Sequence, residues 1–272
     1  MTDSSALSDP QEVIGKQWSK NSSPERRQLL ELARDALFFI SDTGLRHRFE
    51  DFRESLTAGV PPRAEEIPAA SSAPELVSLQ ERLNCTREFF TTLLDEAESM
   101  AERGLIQIIL DTLHFIAGTG QASAFSEYLK HVAASGPPYA VASFGSREEA
   151  ELWLQSHPHP PVSANILVAN AYHDVVHDRV TGIRRLPRNR DLEYYLAGHR
   201  RANPPTAVAS FSRFEDADAW LQSQPKPASW AWVSIAGEPY LAAYYPNLDH
   251  RALYPLSLAD GYEMEIGDSP QQ

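Results

Sequence analysis

Apolar residues follow a helical period through the first half of the chain. Leu29, Ala33, Leu37 and Ile40 recur every three or four positions, as on one face of an amphipathic helix. The start at Ser23-Pro24-Glu25 combines a capping serine, a first-turn proline and an acid near the positive end of the helix. Similar stripes follow over residues 45–56, 76–101, 105–117 and 125–132. The pattern predicts a helical domain of four to five helices over residues 23–135.

Glycine, proline and serine mark the breaks between these predicted helices. Residues 58–73 read as a Pro/Ala/Ser loop, and Ser72-Ala73-Pro74-Glu75 matches a capping box that would begin a long helix. Gly104 is predicted to end that helix, and Gly118-Thr119-Gly120 to end the next one. Residues 1–22 show little periodicity and predict a mobile N-terminal tail.

The second half contains one stretch twice. Residues 137–160 read PPYAVASFGSREEAELWLQSHPHP, and residues 204–227 read PPTAVASFSRFEDADAWLQSQPKP. At an offset of 67 without gaps, 15 of 24 positions are identical, far more than chance would give. The match indicates a tandem duplication, with repeats over residues 137–200 and 204–262.

Each repeat predicts a β-α-β-β module. A short strand of small residues precedes a helix with Trp153 in the first copy and Trp220 in the second, which we expect in equivalent buried places. Proline runs end both helices. A β-branched and aromatic hairpin follows, and its predicted strands are Asn165–Asn170 with Asp174–Arg184, and Trp230–Ala236 with Tyr240–Tyr245. The fold class is therefore α+β, an N-terminal α-helical bundle followed by an α+β domain over residues 136–272.

Charge and cysteine content narrow the function. With 24 basic and 37 acidic residues the net charge is −13, which disfavours nucleic acid and anionic membranes as main partners and suits a basic protein. The single cysteine, Cys85, excludes an intramolecular disulfide and a cysteine-rich zinc site. The N-terminus shows no signal peptide, so we expect a cytoplasmic protein without a cofactor.

The most site-like string is His173-Asp174-Val175-Val176-His177-Asp178. On a strand, His173 and His177 would lie roughly 13 Å apart. Zinc requires both nitrogens at about 2.1 Å, so no metal site is predicted. An acid/base site formed by His173, Asp174, His177 and Asp178, as in a hydrolase, stays open as the alternative to a structural role.

Aromatic residues are concentrated in the second repeat, at positions where the first repeat has mostly polar residues. Aromatic strand faces with little charge are favoured at protein–protein interfaces, and packing in the core is the alternative. The candidate binding residues are Trp230, Trp232, Tyr240, Tyr244 and Tyr245. The basic segment Arg179–Arg201 between the repeats could bind an anionic ligand or neutralise the acidic first half.

The tandem AVASF…WLQSxPxP motif in an acidic chain resembles, in type, the small acidic immunity proteins that bacteria encode beside contact-delivered toxins. The resemblance extends at most over residues 136–260 and assigns a role to no residue. It implies a non-catalytic protein that neutralises a toxin by stoichiometric binding. Two alternatives remain, the hydrolase described above and a scaffold or assembly protein that oligomerises through its helical half.

Overall fold

The computed structural model describes residues 9–20, 23–59, 74–202 and 206–260. These residues form both helices and strands, which confirms the predicted α+β class. The chain divides into two compact units, one within Met1–Lys130 and Pro161–Ser163, the other within His131–Pro160 and Ala164–Gln272. Among the described residues, no helix is both long and apolar enough to cross a membrane.

The first unit is helical. Its core includes the aromatic side chains of Phe39, Phe125 and Tyr128, with Phe39 packed against the other two at centroid distances of 5.2 and 5.5 Å. Helix α5 contacts α1, α2, α3 and α4. The helices in the first half of the chain are α1 (Pro10–Lys20), α2 (Pro24–Asp42), α3 (Arg46–Thr57), α4 (Pro74–Glu96), α5 (Met100–Gly118) and α6 (Ala122–Ala133).

Two helix predictions are wrong. The expected tail contains helix α1, because Val13 and Ile14 are buried and hold it in place. The predicted loop over 58–73 lies outside the described residues from residue 60 onward, as do residues 1–8 and 21–22. Helix α4 ends at Glu96, and α5 begins after Ser99, whose hydroxyl accepts from the Glu102 amide at 3.1 Å. Gly104 therefore lies inside α5, where its weak helix propensity is overridden by packing.

The second unit contains three sheets, with strand orders β1-β2-β3, β4-β5 and β6-β7-β8-β9. In chain order its elements are β1 (Ala142–Phe144), α7 (Arg147–Ser156), β2 (Asn165–Val168), β3 (Ala171–Asp174), β4 (Val176–His177), β5 (Arg184–Arg185), α8 (Asp191–Ala202), β6 (Ala209–Phe211), α9 (Phe214–Ser223), β7 (Trp230–Ile235), β8 (Glu238–Tyr245) and β9 (His250–Pro255). We call β1 to β5 with α7 the first module, and β6 to β9 with α9 the second module.

Strand pairing in the two modules agrees residue by residue at the offset of 67. Ala142 pairs with Ile166 in parallel strands β1 and β2, and Ala209 pairs with Val233 in β6 and β7. The antiparallel hairpins agree in the same way, since Asn165 pairs with Asp174 and Trp232 pairs with Leu241. Both modules therefore have the order strand, helix, strand, strand with one shared register.

Each module also has its own small core under its helix. The buried residues of the first core and their counterparts in the second are Ala150 and Ala217, Leu154 and Leu221, Ile166 and Val233, Val168 and Ile235, Val175 and Ala242, Leu186 and Leu253. The ring centroids of Phe144 and Trp153 lie 5.2 Å apart, and those of Phe211 and Trp220 lie 5.6 Å apart. The angle between the ring planes is 46° in both pairs. The two tryptophans occupy equivalent places, as predicted, but both are only partly buried rather than buried.

The modules differ in the third strand of the hairpin region. Strand β9, which the sequence pattern did not reveal, pairs with β8 over six residue pairs that include Tyr240 with Pro255. In the first module the equivalent pairing is reduced to a single bridge between His173 and Arg188 and to the short β4-β5 ribbon. A third, larger core then joins both modules with α8, and it includes Leu167, Tyr172, Leu196, Trp232, Leu241, Tyr245 and Tyr254.

Candidate functional site

Two of the five candidate aromatic residues lie in the core shared by the modules. Trp232 is 6% exposed and Tyr245 is 0% exposed. The Tyr245 and Tyr172 hydroxyls lie 2.7 Å apart, and the Tyr245 and Tyr254 hydroxyls 3.2 Å apart. Burial raises the pKa of Tyr245 and of Tyr172 well above the ordinary value for a phenol. Trp232 and Tyr245 therefore stabilise the fold and present no surface to a partner.

Trp230 is half-buried and belongs to an aromatic cluster around His199. The His199 ring lies 4.6 Å from the ring of Tyr195 and 5.1 Å from that of Trp230. The Trp230 indole N–H donates to the Ala134 carbonyl at 2.8 Å, and the Tyr195 hydroxyl donates to the Ser135 carbonyl at 3.0 Å. Desolvation lowers the pKa of His199, so its ring is neutral at pH 7. The cluster holds the segment that precedes β1.

The remaining candidates, Tyr240 and Tyr244, lie on the opposite face of the second module, beside α9. Tyr240 is packed near Phe214, which begins α9 and is 46% exposed, with their ring centroids 6.2 Å apart. Partial burial, followed by the charge of Glu238, raises the pKa of Tyr240. This pair places two partly exposed rings next to each other at one end of the helix.

Tyr244 lies near the other end of α9. The Arg251 guanidinium stacks over its ring at 4.7 Å, which is a cation–π geometry. Arg251 also donates to the Gln224 carbonyl at 3.3 Å, just past the end of α9. We refer to Phe214, Tyr240, Tyr244 and Arg251 as the second-module aromatic surface.

The first module has different chemistry at these positions. The equivalents of Phe214, Tyr240 and Tyr244 are Arg147, His173 and His177. The equivalent of Arg251 is Arg184, which donates to the carbonyls of Leu154, Gln155 and His157 at 2.6, 2.8 and 3.1 Å. Both arginines therefore satisfy carbonyls at the end of their helix. At the three other positions, phenylalanine and tyrosine are found only in the second module.

The alternative acid/base residues are divided between two faces of the first module. His173 lies on the α7 face, where its Nδ1–H donates to the Leu186 carbonyl at 3.0 Å. Asp174, the next residue in the strand, points to the opposite face and accepts from the Asn189 amide at 2.8 Å. Backbone alternation thus separates the two side chains that a His–Asp dyad would need.

His177 and Asp178 belong to the β4-β5 hairpin. His177 pairs across the ribbon with Arg184. The Asp178 carboxylate accepts from the backbone amides of Val180 and Thr181 at 2.8 and 3.3 Å, which closes the turn. Hydrogen bonding by Thr181 and the turn amides lowers the pKa of this carboxyl group. Asp178 therefore has a turn-forming role.

Most arginines with described contacts in the basic segment bond within the second unit. Arg184 caps α7 as described, and Arg188 pairs with the buried carboxylate of Glu193 at 3.0 Å. Arg200 forms an ion pair with Asp260, and Arg201 donates to the Ala197 carbonyl at 3.3 Å. These contacts give the four arginines structural roles within the second unit.

One polar arrangement links residues that no sequence pattern connects. Ser143 Oγ lies 3.3 Å from His250 Nδ1, and His250 Nε2 lies 2.8 Å from Asn170 Oδ1. The carboxamide oxygen accepts from Nε2–H, so Nδ1 accepts from the serine hydroxyl. Desolvation lowers the pKa of His250, which keeps the ring neutral. The three residues link the first module to the β8-β9 turn of the second.

The repeat contained no signal for this link, because His250 is matched by Ile183 and Asn170 by Gly237. Asn170 also gives the ring no negative charge to stabilise an imidazolium, so the arrangement is a weaker base system than a Ser-His-Asp triad. Over the described part of the chain, no group of three or more His, Cys, Asp or Glu side chains could hold a metal ion. No protein-family model, curated protein or solved structure matches the chain.

Proposed function

We propose that this chain is a non-catalytic protein-binding protein of the immunity or antitoxin type, acting in the cytoplasm by stoichiometric binding to a toxin. In this proposal the first half is a helical bundle and the second half is a tandem duplication of one β-α-β-β module. The observation that carries the proposal is the second-module aromatic surface, which differs from the first module while the two small cores do not.

Partly exposed rings beside an arginine are the residue types that dominate binding energy at protein interfaces. Phe214 and Tyr240 lie together, and Tyr244 is held under Arg251, so both parts of the surface are already ordered. Ordered aromatic side chains lose little conformational entropy on binding. The acidic net charge of −13 favours a basic partner and would speed its encounter.

The hydrolase alternative receives less support from these contacts. His173, Asp174 and Asp178 bond to a carbonyl, an amide side chain and turn amides, so each has a structural role in the first module. The scaffold alternative is not opposed by any of these contacts.

The proposal is tested by capturing a partner with the tagged full chain from the cells that make it, followed by binding kinetics with that partner. We expect Phe214→Ser with Tyr244→Ala to raise the dissociation rate about 30-fold, since a hot spot is worth ~2 kcal/mol. Added salt should mainly slow association. Leu152→Ser, which changes an exposed apolar residue on the first-module helix, is the matched control and should leave both rates unchanged.

Circular dichroism must first show that the variants remain folded. A folded Phe214→Ser, Tyr244→Ala variant that binds its partner as tightly as the parent would remove the aromatic surface from the proposal. An equal loss of binding in the Leu152→Ser control would have the same consequence.

A further inference from the structure

The contact between the two modules uses different surfaces on each side. The first module contributes the edge of its sheet, through the Ala140 carbonyl, Ser143 and Asn170. The second module contributes its β8-β9 turn, where the Asn247 side chain donates to Ala140 at 2.8 Å and His250 bonds Ser143 and Asn170. A turn of one module therefore docks on the strand edge of the other.

Each residue in this contact has an equivalent in the other module at the offset of 67, and these equivalent residues do not take part in the contact. The equivalents of Asn247 and His250 are Val180 and Ile183, at the tip of the β4-β5 hairpin. Val180 is 94% exposed and Ile183 is 40% exposed. If the two modules were related by a two-fold axis, Val180 and Ile183 would be buried against Ala207 and Ser210, the equivalents of Ala140 and Ser143. Ala207 and Ser210 are instead exposed, as Val180 and Ile183 are. The contact is therefore heterologous, or head-to-tail.

The second module offers the matching half of such a contact. Strand β6 lies at the edge of the four-stranded sheet, and Val208 beside it is 68% exposed. An uncovered strand edge with apolar side chains is a surface that proteins usually protect or pair. The tip of the β4-β5 hairpin has apolar Val180 and Ile183 at the positions where the docked turn of the second module has polar Asn247 and His250.

We propose that a second copy of this chain occupies these surfaces, with the β4-β5 hairpin of one chain docked on the β6 edge of the next. The contact repeats between chains the arrangement that already joins the two modules within one chain, and it rests on the proposed equivalence of the modules. Head-to-tail contacts close into rings or continue as open chains. This contact between chains goes beyond the proposed binding function, because it involves neither the second-module aromatic surface nor a foreign partner.

Crosslinking tests the geometry in the full chain with Cys85→Ser as background. Ile183→Cys and Ser210→Cys are placed on two differently tagged chains, which are mixed and treated with a short bismaleimide crosslinker. We expect a product that contains both tags and forms much faster than the product of either chain with itself. Ser143→Cys with His250→Cys in one chain is the matched control, since these side chains adjoin and should link within the chain.

Sedimentation of the unmodified parent gives an independent readout. We expect its average mass to rise with concentration, and Val180→Asp to abolish that rise while the far-ultraviolet spectrum stays unchanged. A mass that stays at one chain over the accessible concentrations would overturn the proposal. So would mixed crosslinking no faster than that of Ile183→Cys chains with themselves, when the internal control pair reacts. Loss of partner capture in the aromatic variants would leave this result unaffected, so the two proposals can fail separately.

Discussion

The two modules of the second unit share a backbone and a small core, yet they differ in what surrounds them. Six buried core positions match in type and place at the offset of 67. Asp174 and Leu241 also occupy equivalent places, but Leu241 is buried in the core shared by the modules whereas Asp174 bonds the Asn189 side chain. Packing under the helix therefore fixes the register of each module. What covers the outer face of the sheet determines whether the residues on that face are apolar, as Leu241 is, or polar, as Asp174 is.

The largest expected effect tests whether the modules are equally packed. Trp153→Ala and Trp220→Ala should each reduce the free energy of unfolding by about 2–4 kcal/mol, a range that begins lower than the one for fully buried rings because both side chains are partly exposed. Their ring contacts are alike, so the two losses should agree within about 1 kcal/mol. Denaturant unfolding measures both, with Leu152→Ala as an exposed control. A loss confined to one tryptophan would break the equivalence.

The shared core predicts an alkaline limit of stability. Burial raises the pKa of Tyr254 to about 12, against an ordinary 10.0. Its stabilising contribution is complete below pH 10 and is lost as pH rises from 10 to about 12, because only the unfolded phenol ionises there. The loss should approach about 3 kcal/mol. Tyr254→Phe should reduce the slope of the stability profile in this pH range without removing it, since the pKa values of Tyr172 and Tyr245 are raised as well. An unchanged slope would show that Tyr254 is not buried as described.

The helix-capping arginines should differ in strength. Arg184 donates to three carbonyls past or within the last turn of α7, whereas Arg251 donates to one carbonyl after α9. We expect Arg184→Ala to cost about 2 kcal/mol and Arg251→Ala about 1 kcal/mol in thermal unfolding. Arg184→Lys should recover part of the loss, since all three bonds come from one nitrogen, Nη1, and an ammonium also carries several N–H donors. The reverse order of the two alanine variants would contradict this difference.

A smaller effect is expected at the start of the module helices. Ser146 forms a capping box with Glu149 before α7, while Arg213 gives α9 no side-chain cap. Ser146→Ala should cost about 1 kcal/mol, and Arg213→Ser should gain up to about 1 kcal/mol. Calorimetry of the two variants measures the expected decrease in stability for Ser146→Ala and the expected increase for Arg213→Ser. A destabilising Arg213→Ser would mean that Arg213 contributes more through other contacts than a cap would.

The sequence was sufficient for the α+β class, because hydrophobic periodicity and the glycine and proline breaks between elements are local signals. It was insufficient for β9, since His250–Pro255 carries only a short apolar run and its pairing with β8 is a tertiary feature. The Gly104 prediction failed because a serine cap three residues past Glu96 decided the break instead.

The candidate residues could be found only in part. Alternation along β8 separates Tyr240 and Tyr244 from Tyr245, but which face is covered depends on how α8 and the first module pack. The His173–Asp178 string drew attention by composition, although its side chains face opposite ways. Ser143, Asn170 and His250 are far apart in the chain and have unlike partners in the other repeat, so no local pattern could reveal their contact.

An exchange of surface residues tests most directly whether the second module was adapted for binding on a backbone that both modules share. Phe214→Arg, Tyr240→His and Tyr244→His give the second module the surface of the first, and Arg147→Phe with His177→Tyr is the matched control. Capture of the partner by the full chain is measured for both, after thermal unfolding has shown that they fold. We expect the first variant to lose at least about 30-fold in affinity and the control to bind as the parent does. A folded first variant that retains the parent's affinity would contradict this adaptation.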